Sequence, residues 1–410
     1  MTSPDARPAL RVDVIAMEFP CPSETFAGND VRSLCRQGVD VRIHNLRPAI
    51  RGADSYLQQW QLSHLWISHY SWATVIRALA SLVTSPVRWG FLLRRLASRP
   101  PRGLKESLKT IVLLPRAVEI SLAIEKRHPD VVHLFWGHYP CLVGALVRRF
   151  VPAVHLSVFL GAYDLLKGFP ESVRVANDAH SVWTHARANE QILRRMGIDN
   201  PNLHVVYRGV DLEKRRLLRD LRATRVPRSI MTAGRLTRVK GMDQAIRVLR
   251  ELKADWPVAR LVIAGDGPER SSLRELVAEL GLGDSVEFLG HVPHREIFTR
   301  VCESEVFLLM SFQPDERLPN VVKEAMLCRT LCVTTRTVGI DELIAHGESG
   351  FVVEQHDVAA AARHIGEVFA GSVDYRRLTD NAVKHIEERF DVDANMRHYI
   401  DEWSGREPAR

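Results

Sequence analysis

Short apolar runs separated by amphipathic stretches recur along the whole chain. Val12 to Phe19 and Val39 to Leu46 read as strands on either side of an expected helix, Glu24 to Gln37. Apolar runs return at Val131 to Trp136, Ala153 to Phe159 and Ser181 to Thr184, the last followed by a helix ending near Met196 and Gly197. Continuous rather than alternating apolar residues mark the strands of a parallel sheet covered on both faces. Between the second and third strands lies a long, mostly helical insertion, punctuated at Pro86 and at Pro100 and Pro101.

The second half alternates more regularly. Strands are expected at Ile230 to Ala233, Ala259 to Ala264, Val286 to Leu289, Val306 to Met310, Leu331 to Thr334 and Phe351 to Val353. Helices are expected at Asp243 to Leu252, Glu269 to Leu280, Arg295 to Cys302, Pro319 to Leu327 and from Asp357 onward. This pattern predicts an α/β protein of two Rossmann-like, doubly wound domains facing across a cleft, with ligands at the carboxyl ends of the strands. The expected division is residues 1–200, carrying the helical insertion at about 55–127, then residues 201–385, then a C-terminal helix in 386–410 that crosses back to the first domain.

Composition narrows the class. At 410 residues with 46% hydrophobic and 26% charged, the chain is neither disordered, collagenous nor a coiled coil. Its six cysteines are scattered without a CxxC pair, which suggests neither a zinc site nor a disulfide framework and fits a reducing compartment. No basic start with an apolar signal core is present, and no stretch of about 18 residues is both free of charge and apolar throughout. The expected location is the cytoplasm, with contact to the inner membrane face at most peripheral.

The net charge of +7 is unevenly distributed. Arg77 to Arg127 holds eleven Lys/Arg and three Glu, more positive charge than the whole chain carries. Trp60, Trp66, Trp72 and Trp89 lie in or just before it, and Arg94, Arg95 and Arg99 adjoin Trp89, Phe91, Leu92 and Leu93. Basic residues mixed with Trp and Leu on helices suit an anionic lipid surface. A solvated face over a core is the plainer alternative. No helix-turn-helix, zinc-finger or RNP pattern accompanies the charge, so nucleic acid is not an expected partner.

Three segments carry candidate chemistry. Gly234-Arg-Leu-Thr-Arg-Val-Lys240-Gly241 puts two glycines and the cations Arg235 and Lys240 at a strand-to-helix turn, where backbone and side chains can approach a diphosphate. Gly265-Asp266-Gly-Pro forms another turn, whose plainer reading is structural. Asp315-Glu316-Arg-Leu318-Pro319-Asn320-Val321-Val-Lys-Glu324 opens a helix at Pro319. Its first N–H groups, near Asn320 and Val321, suit an anion. Glu316 suits sugar hydroxyls and Glu324 ribose hydroxyls, although two solvated carboxylates would look the same.

Residues 203 to 370 resemble the family-4 glycosyltransferases of the GT-B fold. The resemblance rests on Tyr207-Arg-Gly-Val-Asp211, Gly234-Arg-Leu…Lys240-Gly, Gly265-Asp-Gly-Pro, Phe288-Leu-Gly290-His291-Val, the Glu316…Glu324 pair and Gly350-Phe-Val-Val. The first half is similar to the exopolysaccharide branch through Pro22-Ser23-Glu24-Thr25-Phe26 and Gly161-Ala-Tyr163-Asp164. The resemblance implies a retaining, metal-independent hexosyltransferase without cofactor, acting in cell-surface polysaccharide or glycoconjugate biosynthesis. Its partners would be a nucleotide-sugar donor, with UDP favoured, and a glycan, lipid-linked or small-molecule acceptor. Arg235 and Lys240 would hold the diphosphate, Glu324 the ribose and Glu316 the transferred sugar, with the base near Phe288 to Val292.

Where the family usually has Gly after the first glutamate this chain has Arg317, which would either crowd the donor or add a cation. The family's usual Gly and Pro near 329 and 331 are Arg329 and Leu331. The first half's usual His-Gly-x-Asp is Leu160-Gly-Ala-Tyr-Asp164, so His138, in Gly137-His-Tyr-Pro140, is the candidate cleft histidine. The alternative function is a catalytically silent GT-B relative that binds sugar nucleotides or scaffolds an assembly.

Overall fold

The computed structural model describes residues 9–21, 24–98, 103–167, 169–213 and 225–405. The chain divides into two compact units, residues 1–209 with 392–410, and residues 210–391.

Unit 1 begins β1 (Arg11–Ala16), α1 (Thr25–Arg36), β2 (Asp40–Asn45), α2 (Ala53–Gln59) and β3 (Trp66–Ser68). Three helices follow, α3 (Trp72–Thr84), α4 (Pro86–Ser98) and α5 (Leu104–Arg127). Then come β4 (Val131–Leu134), α6 (Cys141–Phe150), β5 (His155–Phe159), α7 (Ala162–Lys167), α8 (Pro170–Asp178), β6 (Ser181–Thr184), α9 (Arg187–Arg195) and β7 (Leu203–Val205). The strands form one parallel sheet in the order β3-β2-β1-β4-β5-β6-β7. Successive residues serve opposite faces: Val12, Val14 and Ala16 of β1 pack on one side, and Ile15 on the other with α5 and α6. Both faces are therefore apolar, which is why the strands read as continuous runs.

Five elements of unit 1, β3, α6, α7, α8 and β7, have no counterpart in the expected series, and the first two show why. β3 interrupts the helical insertion and pairs with β2 through Arg42–Trp66 and Ile43–Ile67; three residues are too few to show a period. α6 is buried at every position from Cys141 to Val147, so no polar face marks its helical spacing.

The insertion's charge is also less available than its sequence implies. Arg88 is buried and pairs with Glu125, Arg95 pairs with Glu171, Arg116 with Glu119, and Arg127 with Asp13 inside β1. Arg77 also pairs with Glu119. Of the aromatic and apolar neighbours, Leu92 is buried, Phe91 packs edge-on against Phe150, and Trp89 donates to Ser81 Oγ at 2.9 Å.

The last helix, Val392–Trp403, completes unit 1. Tyr399 stacks on Trp183 with centroids 3.9 Å apart, Trp403 lies 5.3 Å from His133, and Asp393 accepts from Ser33 and Arg36 at 2.6 and 2.8 Å. Arg208 is buried beside it, paired with Asp30 and surrounded by the rings of Phe26, Phe135 and Phe159 at 5.0, 4.4 and 3.9 Å. Burial pushes the guanidinium down to about 10, which leaves it charged at neutral pH.

Unit 2 runs β8 (Val226–Ala233), α10 (Met242–Leu252), β9 (Arg260–Ala264), α11 (Arg270–Glu279), β10 (Val286–Gly290), α12 (His294–Glu303) and β11 (Ser304–Leu309). It continues α13 (Asn320–Leu327), β12 (Leu331–Thr335), β13 (Phe351–Val353), α14 (Val358–Phe369) and α15 (Tyr375–Arg389), after which the returning helix of unit 1 is α16. Its parallel sheet has the order β10-β9-β8-β11-β12-β13. Arg329, where the resembled family has Gly, keeps a left-handed backbone at φ 60° and pairs with Asp380.

In both sheets the strand order reverses beside the first strand, between β1 and β4 and between β8 and β11. Doubly wound sheets bind ligands at that switch point, at the carboxyl ends.

Three histidines of unit 1 are held neutral. Burial lowers His44 and His133 to about 3, helped at His44 by Arg116, and lowers His155 to about 4. In an unfolded chain each titrates near 6.5. The unfolded state therefore binds more protons below that pH, and the contribution present above about 6.5 is lost as pH falls toward 4. Unfolding free energy, followed by tryptophan fluorescence, should drop between pH 6.5 and 4.5 with a slope approaching about 4 kcal/mol per pH unit. Seven of the eight tryptophans lie in unit 1, so the signal reports on it. A slope below one proton would show that these rings are not buried.

Candidate functional site

In unit 2 the turns after β8, β9 and β10 interlock. Gly234 N–H donates to Ala264 C=O at 3.0 Å, and Gly265 N–H donates to Gly290 C=O at 2.8 Å. A Cβ on Gly265, whose φ is 131°, would stand 1.9 Å from the Gly234 oxygen. Gly241 lies under the same constraint, at φ 66° with its missing Cβ 2.0 Å from Met310 O. These positions need glycine both for backbone angle and for contact. Asp266 accepts from Gly267 N–H at 2.7 Å and from Arg270 at 2.9 Å, so its carboxylate closes the turn. Gly290 lies beneath the Arg270 guanidinium, and His291 is exposed.

Across the switch point the loop after β8 meets the loop after β11. Lys240 Nζ donates to Glu316 Oε1 at 2.5 Å, with the side chains 20% and 10% exposed. Glu316 Oε2 is buried and has no hydrogen-bond partner among the described residues. A carboxylate nine-tenths buried with one oxygen charge-paired and the other unsatisfied is an unusual arrangement, because buried acceptors are normally satisfied. Arg235 extends from the same loop as an exposed side chain.

Arg317 does not add a surface cation. Its side chain is buried, lowered in pKa by burial, and donates to Pro314 C=O at 2.7 Å. Leu318 and Pro319 are buried next to it. Pro319 precedes α13 with an extended ψ of 127° rather than forming its first turn, and Asn320 and Val321 open the helix. Asn320 Oδ1 accepts from the fully buried Lys323 at 3.0 Å.

Glu324 does not join Glu316. Its two carboxylate oxygens meet His294 Nε2 at 2.8 and 3.0 Å, at the first turn of α12. His294 is the residue that sequence reading missed; it follows His291 by three positions, after Pro293. The helices also meet at their far ends, where Cys302 and Cys328 bring their sulfurs together at 2.6 Å.

Unit 1 repeats the arrangement with different chemistry. His138, after β4, contacts buried Asp164 through Nδ1 at 3.0 Å, and Asp164 Oδ2 accepts from Gly161 N–H at 2.9 Å. Tyr163 stands edge-on to His138 with centroids 5.6 Å apart. Glu24, after β1, accepts from Trp136 Nε1 at 3.3 Å, and its pKa is raised by burial. Thr25 begins α1; Ser23 lies outside the described residues. His138, Tyr163 and Asp164 are thus brought together, with Glu24 attached through Trp136.

Residues 215–385 match the family model described as glycosyl transferases group 1. WcaL of Salmonella typhimurium, named for colanic acid biosynthesis, is 31% identical over 94% of this chain and 97% of its own. The amylovoran biosynthesis glycosyltransferase AmsK of Erwinia amylovora is 26% identical over 93% and 96%. Among solved structures, Anabaena HepE in complex with UDP superposes with a TM-score of 0.72, at 18% identity, over 97% of this chain and 100% of that one. That likeness is one of fold.

Gly265→Ala tests the interlocked turns. The added Cβ should cost on the order of 2–3 kcal/mol of unfolding free energy, measured by urea denaturation. A loss under about 0.5 kcal/mol, the size of an ordinary surface change, would show that the loops are not in contact.

Proposed function

The chain belongs to the glycosyl transferases group 1 family and is a glycosyltransferase, and from that premise we propose a specific reaction. It transfers a hexose from a UDP-sugar to a glycan or lipid-linked acceptor in exopolysaccharide synthesis, with retention of anomeric configuration and without a catalytic metal. The UDP preference is supported by the HepE complex, and the pathway by the names of WcaL and AmsK.

The observation that carries the reading is the Lys240–Glu316 pair at the β8/β11 switch point, with one buried carboxylate oxygen that lacks a hydrogen-bond donor. Negative charge grows on a diphosphate as it leaves. Lys240 and Arg235 supply fixed positive charge at that edge of the sheet, and such preorganised groups act most strongly where water is excluded. Glu316 orients the sugar through Oε2, and Glu324, itself positioned by His294, accepts from the ribose. Glu316 is held in its ion pair with Lys240, which favours an orienting role for it and front-face attack assisted by the leaving phosphate. We assign the acceptor to unit 1, where Asp164 fixes the tautomer and orientation of His138. Arg317, bonded to its own loop, gives no support to a silent relative.

The test is turnover of UDP-sugars with NMR of the product anomer. Arg235→Ala should lower kcat on the order of 100-fold. Lys240→Ala and Glu316→Gln should each do the same, and the double variant should be no worse than the poorer single, since the two act as a unit. Glu324→Gln should chiefly raise the donor KM. A chelator should leave the rate unchanged. Additive effects at Lys240 and Glu316, or an inverted product, would overturn the assignment.

A further inference from the structure

Of the seventeen large apolar side chains that are exposed among the described residues, twelve lie between Trp66 and Val112. They are concentrated on three consecutive helices of unit 1. α3 is built inside out. It buries Thr74, Ala78 and Ser81, small or hydroxylated residues at one helical face, and exposes Trp72, Ile76, Leu79 and Val83, spaced by four, three and four. Trp72 and Val83 are each 85% exposed. A surface helix ordinarily does the reverse.

The inversion is locked by specific contacts rather than by loose packing. Ser81 donates to Ala78 C=O at 2.6 Å while receiving Trp89 Nε1, Arg77 pairs with Glu119 of α5, and Tyr70 donates to Val112 C=O at 3.0 Å. The neighbouring first half of α5 presents Leu104, Leu108, Ile111 and Val112, with Leu104 87% exposed. α4 adds Val87 and Leu93. Apolar exposure gathered on adjacent helices of one unit marks an interaction surface rather than scattered surface residues.

Charge identifies the partner. Residues 72 to 118 contain nine Lys/Arg and a single carboxylate, Glu106. Five cations of the wider stretch are occupied by carboxylates within unit 1, as described above. Among the described residues of α4 and the first half of α5, Arg94, Lys105 and Lys109 are exposed, each next to Leu93, Leu104 or Leu108. We propose that α3, α4 and the first half of α5 form a docking face for an anionic lipid bilayer, with the apolar residues entering the headgroup boundary and the three cations meeting lipid phosphates. Among the described residues no helix is long and apolar enough to cross a membrane, so the attachment is interfacial. A second copy fits this face poorly, because a two-fold interface sets a patch against itself and would oppose the same cations.

Because half of the stretch's cations are internally paired, apolar insertion carries more of the binding than the charge count implies. Salt should weaken the attachment without abolishing it, since screening acts on the exposed charges and not on the inserted side chains.

Co-sedimentation of the full chain with phosphatidylcholine vesicles containing phosphatidylglycerol tests this without any donor, so its outcome is independent of the transferase reading. The chain should pellet with anionic vesicles and less with phosphatidylcholine alone. The triple variant Ile76→Ser, Leu79→Ser, Val83→Ser should reduce vesicle partitioning at least about ten-fold at any salt, because each lost side chain removes insertion energy. Its unfolding midpoint should change little, as these side chains are mostly exposed. Lys105→Glu with Lys109→Glu should reduce binding roughly ten-fold or more at low salt and little at high salt. If the serine variant fails to fold, that charge pair alone decides the question. Three results overturn the proposal: no pelleting with anionic vesicles at low salt, charge-reversed protein that binds as well as the original, or a lipid-free dimer that the serine variant dissolves.

Discussion

A parallel sheet forces every strand to end on the same edge, and both units are organised by that constraint. Loops that leave adjacent strands must cross one another in a confined strip. Where they touch, only a residue without Cβ fits: Gly265 against Gly234 O, Gly241 against Met310 O, and in unit 1 Gly161 against the Trp136 ring. The same crowding supplies convergent backbone and side-chain groups at the point where the strand order reverses. The Lys240–Glu316 pair and the Glu24–Trp136 contact are equivalent products of it, each joining the loops that straddle a switch point.

Crowding also decides what charge can do there. Glu316 is buried enough to need compensation and is compensated on one oxygen only. Arg317, one residue on, shows the alternative outcome. A guanidinium in the same loop satisfies itself on backbone carbonyls and contributes no outward charge. Two neighbouring ionic residues thus take opposite roles according to which carbonyls lie within reach.

The sequence made the glycine turns and the Glu-x7-Glu spacing legible because their requirement is local: a backbone angle, a close contact, a helix start. Strand positions were legible for a similar reason, since both faces of each sheet are apolar. What stayed hidden depends on partners far along the chain. Arg95 meets Glu171 across 76 positions, and Arg208 meets Asp30 across 178. Charge counting therefore overstated the basic surface of α3 to α5. The apolar neighbours were misjudged too: Trp89, Phe91 and Leu92 pack inward, while the exposed row on α3 went unnamed because helical spacing alone does not tell an inward face from an outward one. His294 was invisible because its significance comes from α13 lying beside α12.

Unit 1 is finished by a helix encoded after the whole of unit 2. On the ribosome, residues 1–209 emerge first, yet the sheet face bearing His133 and Trp183 is only partly covered, by α1, until α16 arrives with Tyr399 and Trp403. At about 5–20 residues per second the intervening segment takes on the order of ten to forty seconds to make. Unit 2 is contiguous and can close during that interval, so the order of completion inverts the order of synthesis. For those seconds the nascent chain holds out an open aromatic surface that a holding chaperone is suited to cover.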